Sequence, residues 1–295
     1  MIEKIKEFEN YLKTEERADN TINKYLRDIK EFYKWFLRDN PKKSCIGEHH
    51  QPEVTKEILL DYKECLKNSK LKVSSINSKI SSLNAFFTYT ENESLKIKVL
   101  KCQKSLFGSK EKELTRHEFN KLYEASKYNI RLKYIIETIV KTGIRVSEIQ
   151  YITRESLDAG KTIVDNKGKI RTILIPRKLC KLLKDYCKGS CGGEHLQSPI
   201  ESGPIFLTRT GKPISRKQIW QMMKDLATKV GVPKEKVFPH NLRHLFAREF
   251  YKQTHDIVKL ASILGHSSIE TTRIYMKETE DECRHSLEII EILKE

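Results

Sequence analysis

The stretch LGHSSIETTRIYMK, from Leu264 to Lys277, sets a histidine and a tyrosine nine positions apart, just after a glycine. An ordinary tyrosine hydroxyl has a pKa of about 10 and is a poor nucleophile at neutral pH. Tyr275 taken alone is therefore better interpreted as a core aromatic than as a reactive group. If it is reactive, side chains elsewhere in the sequence must activate it.

Three further stretches supply cationic and imidazole groups beside glycine or proline turns. They are TGIRVSEI with Arg145, NKGK with Lys167, and FPHNLRHLFA with His240 and Arg243. Each is weak evidence alone, because an arginine after a glycine is usually a surface residue and a lysine in a turn is usually solvated. A His-x-x-Arg pair on a helix is likewise usually an ordinary polar face. Only their joint occurrence with Tyr275 favours a catalytic site.

The sequence of residues 1–104 predicts four helices. Apolar side chains recur there at spacings of three and four, as they do along the buried face of a helix. The four apolar stripes begin at Ile5, Ile22, Ile58 and Ile76, and Thr55 is a candidate N-cap for the third helix. The simplest interpretation is a compact helical bundle with a solvated basic face.

The lysine-rich run KIKVLKCQKSLFGSKEK, at 96–112, interrupts this helical pattern. Its charge suits a linker that lies along a polyanion. We place a basic linker at 105–111 and a second domain at 112–295. Thr115 and Glu118 fit a capping box that opens the first helix of that domain.

The second domain is predicted to be mainly α-helical with a small β-hairpin. Two β-branched runs flank a turn at Lys167 and Gly168, and the segment 203–208 is a candidate for a further strand. Helices are expected to resume at four polar positions. These are Ser215, His240, Asp256 and Ser268. A C-terminal helix would carry Leu287, Ile290 and Leu293 on one stripe.

The charge of the chain favours a polyanionic partner. Its 295 residues include 56 Lys and Arg against 40 Asp and Glu, a formal charge of +16. Each cation near a phosphate releases condensed counterions, which strengthens binding to nucleic acid. A lysine-rich proteome would explain the same composition. The sequence has no apolar run of about 18 residues, so we expect a soluble, cytoplasmic protein with no membrane partner.

The cysteines do not predict a disulfide framework. There are seven, scattered along the chain, as expected of reduced thiols in the cytoplasm. Cys180, Cys187, Cys191 and His195 are a conceivable zinc site but lack the paired C-x2-C spacing. The sequence also has no phosphate-binding glycine loop and no suitably spaced carboxylates, so we expect no metal and no cofactor.

In this order, the arginine, lysine, His-x-x-Arg, Gly-His and tyrosine motifs resemble the catalytic signature of the tyrosine recombinases, the phage-integrase and Xer-like family. The resemblance covers 112–275 and extends more loosely to ADNTINKYLRDIKEFYKWF and SSINSKISSLNAFFTY. It implies an N-terminal four-helix, SAM-like core DNA-binding domain at 1–104. It further implies a catalytic domain at 112–295 whose last helix supports oligomerisation.

The resemblance implies a role for each motif residue. Arg145 and Arg243 would clamp the non-bridging oxygens of the scissile phosphate, which suits a guanidinium because it is planar and always charged. His240 would be the general base for Tyr275, with a helix-capping histidine as the alternative. Lys167 would be the general acid for the departing 5′ oxygen, with Lys169 as its substitute.

Neighbouring residues are given supporting roles or none. His266 would hydrogen-bond the phosphate, after a glycine that permits close backbone approach. Glu148 is expected to orient a catalytic cation, with a surface ion pair to Arg145 as the alternative. His244 is expected on a different helical face from His240, where it packs or is solvated. Thr271 and Thr272 have no assigned role.

The family resemblance implies a site-specific DNA recombinase. Such an enzyme would grip duplex DNA at a specific core site and exchange strands through a 3′-phosphotyrosyl intermediate and a Holliday junction. It would act as a tetramer, or with a paired homologous recombinase, in dimer resolution or in integration and excision of a mobile element. A type IB topoisomerase-like activity and a non-catalytic DNA-binding regulator are the alternatives.

Overall fold

The computed structural model describes residues 2–39, 54–101, 113–166, 169–189, 199–266, 268–276, 284 and 288. The chain divides into two compact units, Met1–Lys104 and Ser105–Glu295, and each has a hydrophobic core of its own. The predicted linker at 105–111 lies outside the described residues. So do Leu287, Ile290 and Leu293 of the predicted C-terminal helix.

The described residues of the N-terminal unit form the four helices that the apolar stripes predicted. They are α1 (Ile2–Thr14), α2 (Asp19–Asp39), α3 (Lys56–Asn68) and α4 (Val73–Tyr89). Their stripes meet in a core that includes the fully buried Phe8, Phe32, Leu59 and Ile80. Thr55 occupies the N-cap position of α3, although its side chain makes no capping hydrogen bond.

Two asparagine amides on α4 hold the extended chain that follows it. Asn84 donates to the Ile97 carbonyl at 2.8 Å and accepts from the Ile97 N–H at 3.1 Å. Asn77 makes the same pair of bonds with Leu100, at 2.9 and 2.7 Å. A primary amide carries one donor and one acceptor group, as a peptide does. These side chains therefore pair with the extended segment as a neighbouring strand would.

The described residues of the second unit form eight α-helices, several short 3-10 segments and one hairpin. The helices are α5 (Arg116–Ala125), α6 (Ile130–Thr142), α7 (Arg154–Ala159), α8 (Arg177–Cys187), α9 (Arg216–Lys229), α10 (Pro239–Thr254), α11 (Ile257–Leu264) and α12 (Ile269–Thr272), and the strands are β1 (Lys161–Asn166) and β2 (Lys169–Leu174). The capping box before α5 is confirmed: Thr115 Oγ1 accepts from the Glu118 N–H, and the Glu118 carboxylate accepts from the Thr115 N–H. The mainly helical fold with a small hairpin is confirmed.

The two strands pair antiparallel, with Lys161 opposite Leu174 and Asn166 opposite Lys169. The turn predicted at 167–168 lies outside the described residues. The strand predicted at 203–208 is wrong, because this segment makes only two isolated bridges, one at Pro204 and one at Leu207. Proline has no N–H to donate to a ladder, and Gly203 adopts a left-handed φ of +72°, so the segment cannot extend as a strand.

Gly143 allows α6 to end against α10. Its φ of +63° lies in the left-handed region, and a Cβ built on it would lie 2.5 Å from Cδ1 of Phe246. Only glycine fits such a conformation at such close approach. The carbonyl of Gly143 accepts a hydrogen bond from Arg243 of α10. The end of α6 therefore fixes the position of one predicted site residue.

Candidate active site

Tyr275 is buried between two imidazole rings. It lies in a 3-10 turn, Arg273–Met276, is 6% exposed, and packs with Leu260 and Leu264. The ring of His244 stands edge-on to it at 4.5 Å between centroids, and the ring of His266 lies nearly parallel at 5.8 Å. Tyr275 is thus both a core aromatic and the centre of a polar cluster.

Arg243 is a buried cation held by main-chain carbonyls. It is 1% exposed, and its Nη1 and Nη2 donate to the carbonyls of Gly143 and Leu264 at 2.5 and 2.6 Å. Burial, followed by the positive charges of Arg145 and Arg171, lowers its pKa to about 10, so it stays charged at neutral pH. Its Nε finds no hydrogen-bond partner among the described residues. The guanidinium is therefore rigid and retains donor capacity.

Glu148 joins two further arginines in this cluster. Its buried carboxylate accepts from the Arg145 N–H at 2.9 Å and from Arg145 Nη1 at 3.1 Å, and it pairs with Nη2 of Arg171. Burial alone would raise its pKa, but the Arg145 N–H and the charge of Arg171 outweigh burial and lower the pKa. Glu148 is thus a buried carboxylate that orients cations, as expected, rather than part of a surface pair.

Arg171 of β2 links the hairpin to the loop that carries His266. Its Nη1 donates to the Ile263 carbonyl at 3.0 Å, and a Cβ on Gly265 would lie 2.5 Å from its Cδ. The glycine thus permits close approach, as predicted, although the group that approaches is a side chain. Burial lowers the pKa of Arg171. Lys167 lies outside the described residues, and Lys169 is the first residue of β2.

The prediction that His244 lies on a different face from His240 is wrong. The two rings contact edge to face, 4.7 Å between centroids, because residues four apart on a helix are neighbours. His244 lies between His240 and Tyr275. Burial, and then the charge of His240, lowers its pKa to about 4. Partial desolvation and the charges of Arg243 and Arg145 also lower the pKa of the more exposed His240.

His266 is held at both ring nitrogens. Its Nε2 lies 3.2 Å from Arg243 Nη2, and its Nδ1 lies 2.8 Å from Oγ1 of Thr272. Burial and the charges of Arg243 and Arg145 lower its pKa to about 4, so the ring is neutral at neutral pH. The structure therefore gathers Arg145, Arg243, His266 and Tyr275 of the predicted set, with His240 reaching Tyr275 through His244.

Three residues of this cluster had no predicted role in it: Arg171, His244 and Thr272. His244 could have been found from its spacing of four from His240. Arg171 could not, because its contacts join segments that are distant in sequence. Thr272 could not, because no periodic pattern marks a single buried hydroxyl.

The arrangement suits the binding of an anion. The charges of Arg145, Arg171 and Arg243 act on one another and on the imidazoles, and guanidinium groups bind phosphate oxygens in pairs. Within the described part of the chain no cluster of His, Cys, Asp or Glu could hold a metal ion. Cys180 and Cys187 are buried thiols, whereas Cys191 and His195 of the imagined zinc site lie outside the described residues.

Comparison with protein families identifies the chain. Residues 112–282 match the phage integrase family, and residues 5–94 match the SAM-like N-terminal domain of phage integrases. The chain belongs to the phage integrase family of tyrosine recombinases. The resemblance inferred from the motifs is confirmed, and the protein is a tyrosine-type site-specific DNA recombinase.

Relatives match this recombinase over nearly its full length. Tyrosine recombinase XerA of Pyrococcus furiosus is 29% identical, over 99% of this chain and 95% of its own. The TnP I resolvase of Bacillus thuringiensis is 27% identical, over 97% and 99%. The crystal structure of XerH in a post-cleavage complex with palindromic difH shares the fold, with a TM-score of 0.68, 20% identity, and coverage of 91% and 79%.

The fold shared with XerH agrees with the mainly helical fold described above. Of the helices that the structure describes in this recombinase, none has the length and apolar character needed to cross a membrane.

Proposed function

We propose that the recombinase cleaves and rejoins duplex DNA through a 3′-phosphotyrosyl intermediate on Tyr275. The supporting observation is that two imidazoles pack against this tyrosine and that Arg243, a buried guanidinium fixed by two main-chain carbonyls, interacts with it. Fixed donors stabilise a transition state more than mobile ones, because they need not reorganise as charge develops. Arg243 meets that requirement.

The proposed reaction is a transesterification, in which one phosphate ester bond forms as another breaks. The oxygen of Tyr275 attacks the phosphorus, the bond to the 5′ oxygen breaks, and the tyrosine is linked to the 3′ phosphate. Arg145, Arg243 and His266 contact the non-bridging oxygens, His240 takes the phenolic proton once Tyr275 has moved off the ring of His244 toward the phosphate, and Lys167 or Lys169 protonates the leaving oxygen. The energy of the phosphodiester is retained, so attack by a 5′ hydroxyl reverses the step without ATP.

We further propose that the enzyme binds a specific core site and assembles as a tetramer, or with a paired homologous recombinase. The formal charge of +16 supports a DNA partner. XerH was crystallised bound to its palindromic difH substrate, and a palindrome fits a symmetric pair of protomers. The N-terminal unit would bind the core site, and the C-terminal residues after Tyr275 would contact a neighbouring protomer. Strands would be exchanged in two pairs through a Holliday junction.

The biological role proposed is dimer resolution or the integration and excision of a mobile element. The match to a resolvase over nearly its full length supports resolution, and the fold shared with the Tn1549 transposon integrase supports a role on a mobile element. The DNA site itself would decide between them, because it identifies the replicon that carries it.

The proposal is tested by covalent capture. The full-length protein is incubated with fragmented genomic DNA from its source, denatured, and the DNA that stays attached is sequenced. We expect a shared core sequence, and strand exchange between two plasmids that carry it. Efficient relaxation of supercoiled plasmids lacking that sequence, without strand exchange, would instead indicate a topoisomerase-like activity. Tyr275→Phe should leave no DNA attached, and Tyr128→Phe, at an exposed tyrosine, is its control for loss of a phenolic hydroxyl.

A further inference from the structure

Thr272 places a buried hydroxyl beneath His266. The residue is 0% exposed and is the last residue of α12, three positions before Tyr275. Its Oγ1 lies 2.8 Å from Nδ1 of His266, a full hydrogen bond. The neighbouring Thr271 is exposed, although both threonines are in the same helical turn.

The partners of His266 determine which ring nitrogen carries the proton. A guanidinium has donors only, so the contact from Arg243 Nη2 requires a lone pair on Nε2. A neutral imidazole protonates one nitrogen and leaves the other as acceptor. The proton is therefore on Nδ1, and Nδ1–H donates to Thr272 Oγ1. The low pKa of His266, about 4, agrees with a neutral ring.

A phosphate oxygen at Nε2 would need the opposite arrangement. An oxygen anion accepts hydrogen bonds, so Nε2 must then carry a proton. A hydroxyl both accepts and donates, so Thr272 can stay bonded to Nδ1 whether or not that nitrogen is protonated. Valine has the same branched shape but could bond neither form of the ring.

We propose that Thr272 is a positioning residue for His266, whose hydroxyl holds the ring in place by bonding Nδ1 both in the DNA-free tautomer set by Arg243 and in the one needed at the phosphate. The effect on cleavage rests on the proposed function, because His266 is assigned there to the phosphate. The tautomer of His266 does not depend on the proposed function, since it is a property of the DNA-free protein. Thr272 acts through His266 and touches neither DNA nor the reacting atoms.

The tautomer is measured by nitrogen NMR on full-length, DNA-free protein labelled with ¹⁵N-histidine. The spectrum of His266→Gln identifies the His266 signals. We expect protonated Nδ1 and unprotonated Nε2 in the parent protein, in Thr272→Ser and in Thr271→Val. In Thr272→Val the proton should stay on Nδ1, but the hydrogen bond there is lost, so the Nδ1 nitrogen shift should change and its proton should exchange faster with solvent. A parent ring protonated on Nε2, or Nδ1 signals in Thr272→Val identical to those of the parent, would overturn the proposal.

The same variants are compared for covalent adduct formation on DNA obtained by capture with the parent protein. Thr272→Val should form adduct about tenfold more slowly, the effect of one lost hydrogen bond, with unchanged DNA affinity. Thr272→Ser should restore the rate, and Thr271→Val should not alter it. An unaltered rate in Thr272→Val would contradict the positioning role. If the parent protein forms no adduct, the proposed function fails, and the NMR result still decides the role of Thr272.

Discussion

Replacing Glu148 with glutamine should destabilise the catalytic unit strongly. The carboxylate is 1% exposed and accepts from the N–H and Nη1 of Arg145 and from Nη2 of Arg171, which is itself 12% exposed. Glutamine retains one oxygen and replaces the other with an NH2 group that cannot accept. Glu148→Gln therefore leaves a buried guanidinium without its counter-charge. Breaking a buried pair in this way costs about 3–5 kcal/mol.

The control is Glu270→Gln, because Glu270 also pairs with an arginine three positions away. That pair is exposed, with Arg273 at 67% and Glu270 at 54%, and exposed pairs contribute about 1 kcal/mol or less. Urea unfolding is followed by fluorescence in a Trp35→Phe background, so that Trp220 of α9 is the remaining tryptophan and reports on the catalytic unit. A loss of stability in Glu148→Gln no larger than in Glu270→Gln would show that Glu148 does not form a stabilising buried pair with the two arginines.

The loss of stability in Glu148→Gln should not change with pH between neutral pH and pH 5.5. The pKa of Glu148 is lowered in the folded protein, so its stabilisation is complete above the pKa of an ordinary glutamate, about 4.3. The stabilisation is lost as the pH falls through the lowered pKa. The difference between the parent and Glu148→Gln should therefore be the same at pH 7 and pH 5.5. A difference that shrinks between those values would contradict the lowered pKa.

Three further predictions concern the packing and the protonation of the site. Gly143→Ala should lower the free energy of unfolding in urea by about 1–3 kcal/mol more than Gly160→Ala does. Both glycines have a left-handed φ, but of the two only a Cβ at Gly143 would meet other atoms. Equal losses would argue against that contact. His244→Ala should slow adduct formation roughly 3- to 10-fold, the size of one aromatic pair, whereas His244→Phe should retain the rate; an inactive phenylalanine variant would instead indicate a chemical role for the imidazole. The acidic limb of the rate profile should lie below about pH 6.5, because the lowered pKa of His240 keeps that base neutral to lower pH, and a limb above that value would exclude His240 as the base.

Local sequence patterns predicted the helices but not every contact among them. Apolar residues at spacings of three and four located α1 to α4, since burial of one helical face imposes that period. The capping box at Thr115 fixed the start of α5 for an equally local reason. The segment 203–208 shows the limit of such patterns, because its β-branched and aromatic residues suggested a strand that Pro204 does not permit.

The site was predictable as a set of residue types, because phosphate chemistry requires arginine and imidazole groups. Its connections were not, because they form when distant segments fold together. Arg171 contacts the Ile263 carbonyl 92 positions away, and Arg243 contacts the Gly143 carbonyl 100 positions away. His244 is different, since its spacing from His240 already placed both on one helical face.

The central claim is that Tyr275 becomes covalently attached to DNA. The direct measurement is mass spectrometry of the adduct on a nicked duplex of the captured core sequence, after digestion with nuclease and trypsin. Trypsin releases Tyr275 in the four-residue peptide Ile274–Lys277. We expect a nucleotide-bearing phosphate on the tyrosine of that peptide, and its loss in Tyr275→Phe with DNA binding retained. Attachment to another residue, or an adduct that persists in Tyr275→Phe, would contradict it.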